Sequence, residues 1–600
     1  MLTIGNVSGY MRKDFNDWYA SHATERARSA EFREWAQRLL MELLSVDNTP
    51  KSDVDLMRRN EEEIFKIIEL EIRSSCRYLK PELRRVPIDV ELIARHPYVT
   101  KPHYTKTDDR PSGLSIEEAY ENRTNMVVTI SGMLGKAPES PTICAHIDTV
   151  APHLSDVRKE ASTIYGRGAC DDKGSVVSMI EALRLISEVA EKEGRNILGF
   201  SALFHFVIDE EPGGNGALSL ALNDDFTSEN VLVAEATDLV PHRANRGALW
   251  FNVRLYSRYP EVSPLMALAN VILSLEDEGD KIIGETPEGI FLKEHVQTSY
   301  GIVAALRFGN LQEVRFGQHP STVNGYVKLG VATEIDLETV RREIERSIMR
   351  YVAKYGDKSL EKDPETGMPK VPRHYDIKGR KADDRTVYDV EIFGKTGHMG
   401  AIRQCDCAIT KMAYVLSGLG KFASERRIKM EFFLPGCENL QGVQMVLEGG
   451  QGFTASHNLD VIQSRIASAV SRGIANYLSD SLLPANSIAV ETSFDKLHND
   501  AYESPEDSAA WRAIIDSCRL AGIKLSGEEK RAWRVSCDAR VYAKAPKIID
   551  PSRDVRNVIT FGAGSLKHAH SDSEQVEISD VLLAGSAMAI WTLKLSMARK

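Results

Sequence analysis

An excess of basic charge, CxxC cysteine pairs and long apolar runs are all missing from this sequence, and each absence removes a class of function. The formal net charge is -11. Nucleic acid is therefore not expected as a main partner, because affinity for a phosphate backbone rests on Lys and Arg. Only eight cysteines occur in 600 residues, and no two form a CxxC pair. Cys405 and Cys407 make the one CxC and read as ordinary buried thiols. Such thin usage fits a reducing compartment. No stretch approaches the roughly 20 apolar residues of a membrane helix. The opening MLTIGNVSGYMRKDFNDWYA lacks the charged start, apolar centre and cleavage site of a secretory signal. We expect a cytoplasmic protein with no membrane partner.

Apolar residues make up 42% of the chain and charged residues 27%, as in ordinary globular proteins. At about 150 residues per domain the length implies two to four domains. From Ser29 to Leu44 the residues Phe32, Trp35, Ala36, Leu39, Leu40 and Leu43 recur at helical spacing, and a second amphipathic helix is expected from Asn60 to Leu79. The run Glu61, Glu62, Glu63 near its start reads as a solvated face suited to the helix dipole.

Beyond these helices, strand-like MVVTISG, TICAHIDTV, ALFHFVID and NVLVAEATDL alternate with helical SVVSMIEALRLISEVAEK and ALSLALND. That alternation implies an α/β fold with a mostly parallel central sheet and helices on both faces. Ligands of such folds gather at the carboxyl ends of strands. Three of the apolar runs end in acids or histidine: TICA in His146 and Asp148, FHFVI in Asp209, Glu210 and Glu211, and VLVA in Glu235 with Asp238 behind. Between them, YGRGACDDKGS places Asp171 and Asp172 ahead of a helix. The turn lacks the P-loop spacing, and two carboxylates there suit a cation rather than an anion.

After Asp238 the pattern becomes strand, helix, strand, strand and long helix up to Tyr355, then a polar stretch, then a similar series from Arg385 onward. We expect a discontinuous catalytic domain of residues 1–245 and 481–600. Between its parts would stand two α+β modules, 246–355 and 386–480, joined by a polar linker at 356–385. Taken with HAHSDSE near the end, the strand-end residues His146, Asp148, Asp171, Glu210, Glu211, Glu235 and His570 form a set of imidazoles and carboxylates such as a two-metal hydrolytic site requires.

The sequence resembles the dinuclear zinc hydrolase family of acetylornithine deacetylase, succinyl-diaminopimelate desuccinylase and glutamate carboxypeptidase. HIDTV is similar to its His-x-Asp motif, GRGACDDKG to its Gly-rich Asp motif, DEEPGGNGA to its Asp-Glu-Glu motif, AEATDL to its Gly-Glu-Pro-Thr motif and AHSDSE to its terminal His motif. SCDAR and FGAG precede that last histidine in the same order. The resemblance implies a metallohydrolase with two Zn2+, or Mn2+ or Co2+, per active site. Asp171 would bridge, His146 and Glu235 would complete one site, and Glu211 and His570 the other. Asp148 would orient His146, and Glu210 would be the general base. In the family, a histidine within Gly-x-x-Gly-His reaches the reaction from the lid; FGKTGHMGAI supplies it as His398.

Ala236 stands where the family has Pro, and Asp238 and His568 are competing ligands. Arg246 and Arg403 are candidates to clamp a substrate carboxylate, against the simpler view of exposed arginines paired with acids. The implied substrate is a small peptide or N-acyl amino acid. Alternatives are an aminopeptidase or dipeptidase on the same metals, or an inactive binding protein on the same fold. The enlarged middle leaves a homodimer open, or a monomer if the second module replaces a partner's lid.

Overall fold

The computed structural model describes residues 21–596 apart from 108, 258, 260, 308–312, 364–365, 383–384, 438–442 and 495–497. Two units emerge. The first comprises the chain up to Gly247, Gly289–Phe291 and the chain after 495; the second comprises Ala248–Glu288 and the chain from Leu292 to 495.

In the first unit a six-stranded sheet runs in the order Glu82–Pro87, Thr124–Ile130, Ala202–Val207, Pro141–His146, Asn230–Val233, Asn557–Thr560. The first three strands pair antiparallel. Pro141–His146 is parallel to both of its neighbours, and Asn557–Thr560 is parallel to Asn230–Val233. Every residue of the three central strands is buried, which is why their sequences read as unbroken apolar runs rather than alternating ones. Lys173–Glu193 and Ile578–Ser596 pack on each other and against Pro141–His146, while Ala539–Ile549 packs on the two last strands. By length and composition Ile578–Ser596 is apolar enough to cross a membrane, contrary to expectation, but 72% of its apolar window is buried in this core.

The expected first helix is Ala30–Leu44, started by the Ser29 hydroxyl, which accepts the Phe32 N–H. The second begins earlier than expected, at Val54, because Asp53 caps it, and it ends at Ser75. Its glutamate run is not a uniformly solvated face: Glu63 is exposed, but Glu61 is only 5% exposed and pairs with Arg123 at 2.5 Å.

Among the described residues, the second unit holds two larger sheets beside the two-stranded pairing of Thr322–Val323 with Gly397–His398. One has the order Glu313–Phe316, Thr298–Arg307, Val443–Phe453, Gly247–Tyr256, Ala489–Ser493, and the other Tyr375–Ala382, Arg385–Phe393, Tyr326–Thr333, Met430–Phe433. Strands from before and after the expected linker share both sheets: Thr298–Arg307 pairs with Val443–Phe453, and Tyr326–Thr333 with Arg385–Phe393. The middle is thus one interleaved unit rather than two modules side by side, since pairing follows register and burial, not the order of elements. Part of the expected linker is the edge strand Tyr375–Ala382, which sets Ile377 against Val390. Its Lys and Arg residues give it a linker-like composition while protecting a sheet edge.

Candidate active site

Three adjacent parallel strands of the first unit carry the acids and one imidazole. His146 ends Pro141–His146, Glu210 and Glu211 follow Ala202–Val207, and Glu235 follows Asn230–Val233, so these side chains leave the same edge of the sheet. Asp171 lies in the Gly-rich turn just before the helix Lys173–Glu193, and His570 in the loop between Asn557–Thr560 and Gln575–Glu577.

His146 Nε2 lies 3.0 Å from Asp171 Oδ1. His570 Nε2 lies 3.3 Å from Asp171 Oδ2 and 3.1 Å from Glu211 Oε1. Two groups of possible ligands result, His146–Asp171–Glu235 and Asp171–Glu211–His570, with donor atoms in each within 4.8 Å of one another. Asp171 belongs to both, offering one carboxylate oxygen to each imidazole.

The local electrostatics favour a cation. Among the described residues, Asp171 and Glu211 form ion pairs only with imidazoles, and Glu235 forms none. Burial pushes the carboxyl groups of Glu235 and Glu210 well above the usual range and that of Glu211 above it, and neighbouring acids add to the rise. Burial opposes charge on His570, but Glu211 and Asp171 push it up to about 10. A pocket in which the four carboxylates of Asp171, Glu210, Glu211 and Glu235 outnumber the two imidazoles, with N and O donors mixed, fits a pair of divalent cations.

Neighbouring groups fix these side chains. The His146 ring Nδ1 is 3.0 Å from the carbonyl oxygen of Asp148, and its carboxylate is farther, at 3.6 Å. The carbonyl puts a proton on Nδ1 and leaves Nε2 toward Asp171. The Asp148 carboxylate instead accepts the backbone N–H groups of Glu210 and Glu211 at 3.1 and 3.0 Å, so it holds the turn carrying both acids. Glu574 does the same for the Gly-rich turn, accepting from Gly168 N–H at 2.9 Å and Asp171 N–H at 3.2 Å, with Arg167 at 2.5 Å. Gly168 has φ +93°, and an added Cβ would stand 2.8 Å from the Thr149 methyl, so this turn requires glycine.

Sequence reasoning missed the group behind Asp209. Asp209 itself adopts φ +62°, a left-handed conformation that non-glycine residues hold only when their surroundings fix them. Arg123, fully buried, bonds Asp209 Oδ1 at 2.7 Å and Glu61 Oε1 at 2.5 Å, while the Tyr104 and Tyr120 hydroxyls donate to Asp209. Nothing near Arg123 in sequence marks it. Arg123→Met is expected to lower stability by about 3–5 kcal/mol in chemical denaturation, since two acids would stay buried without their cation. An unchanged midpoint and slope would rule out this role. Arg540, from the SCDAR segment, donates to Gly213 carbonyl at 3.1 Å and lies 3.9 Å from Glu210.

Other candidates lie elsewhere. His568 is outside both ligand groups, as is Asp238. Arg246 is 2% exposed, not a surface residue, and burial holds its guanidinium down to about 10. Arg403 is exposed and paired with Glu294. Both Arg403 and His398 belong to the second unit. His398 pairs with Thr322 in a short bridge, and its ring Nδ1 accepts the Gly400 N–H at 3.0 Å. None of the eight cysteines forms a disulfide.

The chain matches the family described as Peptidase family M20/M25/M40 over residues 142–592. A [LysW]-lysine/[LysW]-ornithine hydrolase of Saccharolobus islandicus is 29% identical over 180 residues, 29% of this chain and 47% of that protein. A probable carboxypeptidase of Aspergillus clavatus is 27% identical over 219 residues, 32% of this chain and 44% of that protein. The chain thus spans about half the length of these curated relatives. Among solved structures, human carnosine dipeptidase 1 aligns with TM-score 0.51 at 12% identity, covering 96% of this chain and 99% of that one. The dipeptidase Dug1p of Saccharomyces cerevisiae aligns with TM-score 0.53 at 13% identity, covering 97% and 99%. These two likenesses concern the fold. With the family match spanning both the first and last ligand candidates, the chain belongs to peptidase family M20/M25/M40.

Proposed function

We propose that this protein is a metal-dependent amide hydrolase whose substrate is a small peptide or an N-acyl amino acid. The observation that carries the proposal is the sharing of Asp171 between two buried N and O ligand groups beside Glu210. His146, Asp171 and Glu235 would hold one divalent cation and Asp171, Glu211 and His570 the other. The donor set suits zinc, and manganese or cobalt as well. When bound, such a pair supplies Lewis acidity and an acidified water.

The chain's own residues then divide the work. Glu210 takes a proton from water on its carboxylate and returns it to the departing amine. Asp148, through two backbone N–H groups, keeps the Glu210–Glu211 turn in place. With Nδ1 accepting from Gly400, the neutral His398 ring carries its proton on Nε2, the form needed to donate to a developing oxyanion.

The test is hydrolysis of a panel of dipeptides and N-acyl amino acids by chelated protein, then after return of zinc, manganese or cobalt. Chelation is expected to abolish turnover and a metal to restore it. Full activity without metal would overturn the proposal. Preference for free amino termini would favour an aminopeptidase or dipeptidase, and inactivity on the whole panel with both cations bound would leave a binding protein. On the same panel His398→Ala should lower kcat by about 10²-fold or more with metal content unchanged; a normal kcat removes His398 from the reaction.

We propose a cytoplasmic location, which cell fractionation tests. Light scattering decides between monomer and dimer.

A further inference from the structure

A cavity of about 620 Å³ lies wholly within the second unit and shares no lining residue with the ligand groups around Asp171. Its volume is in the range of small-molecule sites. The helices Pro264–Glu285 and Leu337–Tyr355 contribute Glu276, Asp280, Lys354 and Tyr355, and Ile283 and Ile402 add apolar wall.

The charges lining it are paired with one exception. Lys354 Nζ is 2.7 Å from Asp280, Lys358 is 2.6 Å from Glu361, and Asp406 receives both the Lys411 ammonium and the Tyr351 hydroxyl. Glu276 is 8% exposed; Oε2 accepts the Tyr355 hydroxyl, the neighbouring Tyr300 hydroxyl donates to the Ile272 carbonyl at 3.3 Å, and Oε1 is buried with no hydrogen-bond partner. A buried carboxylate oxygen left unmatched is costly, so the missing element is a donor, best a cationic one. The Tyr351 and Tyr355 rings, 4.6 Å apart at their centroids, also line the cavity, and Lys354 Nζ already sits 5.2 Å from the Tyr355 centroid, a separation at which an aromatic ring stabilises an ammonium.

We infer that this cavity binds a small organic ammonium ion, a primary amine on a short apolar chain, with Glu276 as its anchor. Burial pushes the Glu276 carboxyl up to about 7, against the Tyr355 hydroxyl and Lys354. The groups facing it are Tyr300, Tyr351, Lys354, Tyr355, Cys407 and Tyr414, with Asp277 and Asp280 of its own helix. The tyrosines and Cys407 are all pushed up and stay neutral near pH 7, and Lys354 is pushed up and stays charged. Glu276 therefore gains its charge as pH rises through about 7, and ammonium affinity rises with it.

The test is isothermal titration of the metal-loaded full chain with n-butylammonium, with n-butanol and butyrate as neutral and anionic counterparts. Saturable binding of the amine is expected, tighter at about pH 8 than at about pH 6. Glu276→Gln should weaken it at least about ten-fold, as loss of one charge-assisted bond implies. Ile283→Trp, which adds bulk to the cavity wall two helical turns from Glu276 and leaves its carboxyl group in place, should weaken it as well and serves if Glu276→Gln does not fold. No saturable binding, equal binding of butanol or butyrate, affinity indifferent to pH, or binding that survives Ile283→Trp would each overturn the assignment.

Discussion

Glu210→Gln is expected to keep both cations and lose turnover by about 10²–10⁴-fold, the usual contribution of a positioned acid or base. The substitution keeps the shape of the side chain and leaves the backbone N–H that Glu210 gives to Asp148 untouched. Glu210 is outside both ligand groups, so metal content measured by atomic absorption should not change. Its nearest cation, Arg540, is 3.9 Å away, too distant for the variant to break a strong pair. The loss should therefore appear in kcat, with stability close to that of the wild type. A rate near the wild-type value with both metals bound would remove Glu210 from the reaction.

Asp171→Ala is expected to have the larger effect on metal content. Each ligand group would fall from three donors to two, because both contain Asp171. Loss of a direct ligand should weaken each site by more than the 10–100-fold typical of residues behind the ligands. Glu235→Ala and Glu211→Ala each strip one group only. Metal content should then drop toward one per chain in these two variants and toward zero in Asp171→Ala, with activity lost in all three. Retention of two cations by Asp171→Ala would refute the bridge, and so would equal losses from all three substitutions.

Much of the first unit was legible because its elements declare themselves locally. The central strands are apolar throughout, and the residues that close them stand at their carboxyl ends, which puts His146, Glu211 and Glu235 on one sheet edge. The choice of His570 over His568 followed motif spacing, and the tertiary structure sets His570 beside Glu211. Less was legible where a polar residue's fate depends on a distant partner. Glu61 sits in a run of three glutamates, and only the guanidinium of Arg123, 62 residues later, makes its burial tolerable. Tyr375–Ala382 failed for a different reason: it is an edge strand whose residues 378–381 are exposed and in which Ile377 alone is buried among the described side chains, so it has the composition of a linker.

By itself the sequence determined the chemistry offered to the site, the α/β order of the first unit and the family's motifs, since these depend on residue type and short-range spacing. Tertiary structure alone decided that Asp171 stands between two imidazoles, that Asp148 and Glu574 hold the turns bearing the acids, and that the strands of the second unit interleave. Those outcomes rest on contacts between residues far apart in the chain, where burial and hydrogen-bond satisfaction select one arrangement among many that the same local pattern allows.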